Sequence, residues 1–312
     1  MDDQHWEDTP IAAAARRAAQ IRTPNGFQLP KPDYQRRFVI ANQKGGVGKT
    51  TTTVNIAAAL AMGGLKVLVI DLDPQGNAST ALDVEHRAGT PSSYELLIGE
   101  RSFEEVIVPS PAADSLYCIP ATIDLAGAEI ELVSMVRREY RLTDALDQSA
   151  QDFDYIFIDC PPSLGLLTIN GMTATSEVLI PIQCEYYALE GVGQLLNNIG
   201  MIRQYLNPQL HVSGVLLTMY DGRTNLATQV VEEVREHFGE VVCRNKIPRS
   251  VRVSEAPGYR QTVLQYDPGS PGAIAYLDAA TELALRGDYL PNASSGAIGV
   301  APASRHARQE QE

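Results

Sequence analysis

The sequence predicts an α/β fold: one mostly parallel, twisted sheet with helices on both faces. Three observations carry the prediction. Five apolar runs lack the polar alternation of a half-exposed strand, as expected when both sheet faces are buried. They are "RFVIAN" (37–42), "KVLVIDLD" (66–73), "DYIFIDCPP" (154–162), "SEVLIPI" (176–182) and "HVSGVLLTMY" (211–220). Helical stretches lie between them, the pattern of strand–helix–strand units. A glycine-rich loop joins the first run to the first long helix.

The elements follow in order. The chain opens on "MDDQHWEDTP", acidic and polar, without the basic start and apolar run of a signal peptide. "TPIAAAARRAAQ" (9–20) is rich in Ala and Arg and reads as a short helix. "RTPNGFQLPKP" (22–32) breaks it with three prolines and a glycine. Residues 1–36 therefore read as an arm, helical or disordered in part, too short for a separate helix-turn-helix domain. From Arg37 the pattern is regular. "TTTTVNIAAALAMGG" (50–64) is helical and stops at a glycine pair. "LTDALDQ" (142–148), "LEGVGQLLNNIGMIRQYL" (189–206) and "NLATQVVEEVREHF" (225–238) are further helices, and "GAIAYLDAATELALRG" (272–287) is the last. The domain is expected to span 37–288. The tail, 289–312, is poor in large apolar residues and reads as disordered. No internal repeat is present.

Composition narrows the function classes. The 312 residues are 44% hydrophobic, enough for a large core. Net charge is −13 and the sequence pI about 4.9, so any nucleic-acid contact must use a local basic patch on an acidic body. Cys118, Cys160, Cys184 and Cys243 lie far apart with no CxxC, against a zinc site or disulfide framework and for core thiols in a reducing cytosol. No apolar run is long enough to span a membrane, which predicts a cytoplasmic protein.

The glycine loop carries the chemistry. In "IANQKGGVGKTTTTVN" (40–55), the strand–loop–helix context is that of a phosphate-binding P-loop. The strict pattern has glycine where this chain has Gln43. Gly45, Gly46 and Gly48 instead let the backbone N–H groups of the loop, through Val47 to Thr51, turn toward phosphate at a helix N-terminus. Lys49 would reach the β- and γ-phosphates of ATP, and Thr50 would bind Mg²⁺. Asp159 ends an apolar strand, the place for a carboxylate that holds Mg²⁺. "VIDLDPQGN" (69–77) places Asp71 and Asp73 at i and i+2, a spacing that points both the same way at a strand's carboxyl end. Asp73 is favoured for positioning the attacking water, with Asp71 either supporting the site from behind or lying on the Mg²⁺ side. "RNKIPRSVR" (244–252) is a basic run with no acid: Arg244, Lys246, Arg249 and Arg252. Lys44 is a second lysine in the loop, which the phosphate pattern alone does not require.

Six stretches resemble the ParA/Soj chromosome-partition ATPases, a deviant Walker A family of P-loop NTPases related to MinD. They are "KGGVGKTT" (44–51), "VLVIDLDPQGNAS" (67–79), "YIFIDCPPSLG" (155–165), "PIQCEYYALEGVGQL" (181–195), "LLTMYDGRTNL" (216–226) and "IPRSVRVSEAP" (247–257). The first marks the superfamily; the later ones are specific to ParA/Soj. The resemblance implies an ATP-dependent sandwich homodimer that binds double-stranded DNA without sequence preference, and hydrolysis stimulated by a ParB-like centromere-binding protein. It implies that Lys44 crosses the dimer interface to the partner's nucleotide. It assigns Arg223 and Arg252, with Arg249 beside them, to DNA phosphates, and Pro248 to the adenine side. It implies a cytoplasmic, nucleoid-associated protein. The arm, 1–36, is a candidate site for a polar scaffold protein, and Arg16, Arg17, Arg36 and Arg37 are reserve candidates for DNA. The rival reading is a MinD-like division-site ATPase at a membrane, which needs an amphipathic C-terminal helix. Residues 291–312 have Ala, Ser, Gly and Pro where its bulky apolar residues should stand, so no membrane insertion is expected.

Overall fold

The computed structural model describes residues 9–23 and 26–286; the predicted tail, 289–312, lies outside them. The elements run α1 (Pro10–Arg22), β1 (Arg36–Ile40), α2 (Lys49–Met62), β2 (Val67–Asp71), α3 (Asn77–Ala81), α4 (Ser93–Ile98) and α5 (Phe103–Val106). Then come β3 (Val108–Pro109), β4 (Leu116–Ile119), α6 (Leu125–Leu132), α7 (Arg141–Gln148), β5 (Tyr155–Asp159) and α8 (Leu166–Thr173). The chain continues through β6 (Glu177–Gln183), α9 (Val192–Tyr205), β7 (His211–Tyr220), α10 (Asn225–Phe238), β8 (Val242–Pro248), α11 (Val251–Glu255), α12 (Val263–Tyr266) and α13 (Pro271–Leu285).

The strands form one eight-stranded sheet in the order β3-β4-β2-β5-β1-β6-β7-β8. Every pairing is parallel except the short β3–β4 edge. The all-apolar runs are buried on both faces: β2 and β5 have no exposed residue. One apolar cluster joins α4, α6, α7, α8, α9 and α10 to one face. The other joins α2, α12 and α13 to the opposite face. β1 lies between β5 and β6, so connections leave it in both directions. That is the switch point where open α/β sheets bind ligands at the carboxyl ends of their strands.

The arm differs from the expectation. α1 forms with Thr9 as its cap, but it lies on α13 instead of standing apart. Ala18 and Ile21 are buried, and Arg17 Nε meets Asp278 Oδ1 at 2.9 Å. Phe27 and Leu29 pack against the α2/α13 core, and the Leu29 N–H donates to the Gly63 carbonyl at 3.0 Å. The first strand begins at Arg36, one residue before the expected boundary. Arg36 is buried in β1, donates to Glu177 of β6 at 2.8 and 2.6 Å and to the Leu283 carbonyl at 2.9 Å, and stacks on Phe38. This pair ties two strands to the last helix. Removing one partner would leave an uncompensated buried charge, which costs about 3–5 kcal/mol.

Candidate nucleotide site and basic face

The glycine loop leaves β1 and ends at α2, with Gly48 as N-cap at φ +91°. Gly46 is also left-handed, at φ +76°. A side chain at either position would be strained, so these are the glycines the loop needs. Gln43 is not among the left-handed residues, which is why the missing glycine of the strict pattern costs nothing here. Two residues outside the motif hold the loop. Asn42 accepts from the Lys44 N–H at 3.0 Å and donates to the Pro181 carbonyl at 2.8 Å. Thr218 of β7 donates its hydroxyl to the Val47 carbonyl at 2.8 Å.

Lys49 is 8% exposed, and its Nζ lies 3.4 Å from the Lys44 carbonyl oxygen. Burial pushes its ammonium below the usual lysine range, against the pull of Asp159 and Asp73. Asp159 is fully buried. It accepts from the Thr50 hydroxyl at 2.7 Å and from the Thr53 hydroxyl at 3.1 Å. Burial, then the neighbouring Asp71 charge, raises its carboxyl well above the usual range. Thr50 and Asp159 therefore meet, and Thr53 joins them. A hydroxyl beside a buried carboxylate is a hard-oxygen donor set that fits Mg²⁺.

The two aspartates of "DLD" separate. β2 ends at Asp71, so strand alternation does not extend to Asp73. Asp71 Oδ2 accepts from the Ser79 N–H at 2.9 Å and its hydroxyl at 2.7 Å, while Oδ1 accepts from the Asp73 N–H at 3.1 Å. With both oxygens engaged and the residue fully buried, Asp71 serves as a clamp on the 71–79 turn. Asp73 is half-buried, accepts from the Gln75 N–H at 3.0 Å, and is held at the mouth by that clamp.

Lys44 lies at the rim. Its ammonium pairs with Glu185 Oε1 at 2.5 Å, and both side chains are about one-third exposed. Sequence reasoning missed Glu185, although it sits in the quoted "PIQCEYYALEG". Pro248 ends β8 opposite Tyr220 of β7, and the Arg249 N–H donates to the Tyr220 carbonyl at 3.0 Å.

The basic face is less free than its sequence suggests. Arg223 donates twice to Asp221, at 2.8 and 2.7 Å, and holds that carboxyl down to about 2. Arg252 meets Glu255 at 3.1 Å and Asp267 at 3.4 Å. Lys246 stacks on the Tyr220 ring at 4.4 Å, and Arg249 is exposed. Of the reserve arginines, Arg36 is buried, while Arg17 and Arg37 pair with Asp278 and Asp147. The four cysteines are free; three are buried and Cys184 partly so. Among the described residues, no helix is long and apolar enough to cross a membrane.

Known proteins share this architecture. The family model described as an AAA domain matches residues 35–212. The sporulation initiation inhibitor protein Soj of Bacillus subtilis is 53% identical over 250 residues, 80% of this chain and 98% of that protein. The chromosome partitioning protein ParA of Myxococcus xanthus is 50% identical over 251 residues, 80% of this chain and 88% of that protein. A solved Mycobacterium smegmatis structure, described as cobyrinic acid a,c-diamide synthase with bound ADP and magnesium, is 41% identical with a TM-score of 0.70. It covers 81% of this chain and 94% of that one. Half-identical relatives matched over nearly their whole length, joined to a P-loop at the switch point of a parallel sheet, place this chain in the ParA/Soj family of chromosome-partition ATPases.

Proposed function

We propose that this chain hydrolyses ATP to drive chromosome partition, switching between an ATP-bound homodimer on DNA and a released form. The observation that carries the reading is the meeting of Lys49, Thr50 and Asp159 beneath one glycine loop, with Asp73 and Lys44 at its mouth. Lys49 and the loop N–H groups bind the phosphates. Thr50 and Asp159 hold Mg²⁺, which when bound neutralises phosphate charge. Asp73 orients the attacking water.

Lys44 gives the site its dependence on a second copy. Its ammonium is at the rim and, among the described residues, is paired only with the partly exposed Glu185, so it can exchange that carboxylate for a partner's phosphate. Arg223, Arg249 and Arg252 contact duplex DNA through phosphates, without reading bases. A ParB-like protein stimulates hydrolysis and so release. The protein is accordingly cytoplasmic and nucleoid-associated. The test is DNA co-sedimentation with ATP, ADP and no nucleotide, with and without the ParB-like protein. Retention only with ATP, reversed by that protein, is expected. Equal retention in all nucleotide states would defeat the reading.

A further inference from the structure

Residues 9–32, which hold α1 and the turn after it, contain Arg16, Arg17, Arg22 and Lys31 and no acidic residue, on a chain of net charge −13. The matched family model begins after this segment, at residue 35. α1 is fixed to the domain by Ala18, Ile21 and the Arg17–Asp278 pair, so its charges have a defined place. Its C-terminal Arg22 reaches the turn before α13. A Cβ built on Gly269 would lie 3.3 Å from Arg22 Nη2 and 4.0 Å from Asp267 Oδ1. Asp267 is the same carboxylate that Arg252 meets at 3.4 Å. Arg22 and Arg252, 230 positions apart in the chain, thus flank one turn.

We infer that α1 extends the DNA face and that Arg22 contributes a phosphate contact beside Arg252. The inference rests on the proposed DNA-binding reading and adds a surface to it. Arg22 is exposed and pairs with no acid among the described residues, whereas Arg223 and Arg252 each hold carboxylates in the free protein. It therefore offers charge that no internal partner must first surrender. The outward side of α1 favours phosphate over a protein partner. Apart from the exposed Ile11 it presents Ala13, Ala15, Arg16, Ala19 and Arg22, with none of the aromatic anchors that protein interfaces use. An exposed arginine on a rigid helix suits a polyanion, whose binding is summed from single phosphate contacts.

The test measures duplex affinity of the full chain, with a non-hydrolysable ATP analogue, across a salt series. One phosphate contact per protomer occurs twice in a dimer. Arg22→Ala should therefore lower the slope of log K against log salt by about 1.8 and weaken binding by up to roughly 60-fold near 0.1 M salt. Arg22→Lys should restore most of the slope, which a purely structural guanidinium would not. Arg203→Ala, an equal charge loss on α9, should leave it unchanged. If Arg252→Ala lowers the slope and Arg22→Ala does not, the inference fails while the DNA reading stands, and the arm faces another partner such as a scaffold protein. If the wild-type chain shows no ATP-dependent DNA binding, both fall.

Discussion

Lys49 is 8% exposed and forms no ion pair among the described residues, while the Arg223 side chain is 87% exposed and already grips Asp221 twice. Both are read as phosphate ligands, built in opposite ways. At the nucleotide site the positive charge is desolvated in advance, beside a carboxylate that itself is raised by burial. A phosphate arriving there replaces missing solvation and meets a low local dielectric. At the basic face the charge is fully hydrated, screened by salt and locally neutralised. The first arrangement concentrates binding in single residues. The second spreads it over many weak contacts and makes it adjustable. Substitutions should therefore give large, salt-insensitive losses at the first and small, salt-dependent changes at the second.

The largest effect should come from Lys49→Ala. It removes a buried charged donor whose loss nothing nearby can replace, so ATP affinity should fall about 100-fold or more. Isothermal calorimetry would show it, and unchanged affinity would refute the assignment. Next is Asp73→Asn. The amide oxygen can keep the turn hydrogen bond to the Gln75 N–H but cannot act as a carboxylate. Turnover should fall about 100-fold while ATP affinity stays within about threefold, because water positioning is felt only in the transition state. Wild-type turnover would move that role elsewhere. Lys44→Ala should bind ATP as a monomer yet fail to dimerise with a non-hydrolysable analogue in size-exclusion chromatography. A dimer peak equal to wild type would return Lys44 to being a rim lysine paired with Glu185.

The same contrast separates what sequence revealed from what it hid. Buried parallel strands announce themselves: β1, β2, β5, β6 and β7 are continuous apolar runs. β8 stands at the sheet edge, mixes Arg244, Asn245 and Lys246 with apolar residues, and ends in proline, so it reads as a basic run and not as a strand. β4 has four residues and β3 two, too short for a period to register. At the site, the glycine loop was legible because its chemistry is contiguous in the chain. The Thr218–Val47 bond was not, because it joins residues 171 positions apart. The different settings of Asp71 and Asp73 were hidden because the strand stops at Asp71, which no alternation rule foresees. The Asp221–Arg223 pair was within reach, since the two residues are separated only by Gly222.

The smallest predicted effect has the opposite sign to the others and bears most directly on the contrast. Asp221→Asn removes the carboxylate that Arg223 must surrender before it can hold a phosphate. The pair is exposed, and such pairs are weak. Its loss should therefore raise DNA affinity only about two- to fivefold, and only in the ATP state. The asparagine can still accept from the Arg223 N–H at the position where Asp221 Oδ1 does so at 3.1 Å, so the turn should persist. ATP affinity should not change, because the substitution lies outside the phosphate loop. Arg223→Ala should weaken binding and lower the salt slope by about 1.8 for a dimer. In the double variant the gain from Asp221→Asn should disappear, since no arginine remains to be released. A persistent gain would mean that Asp221 acts only as a long-range repulsive charge on DNA, and that Arg223 is no phosphate ligand.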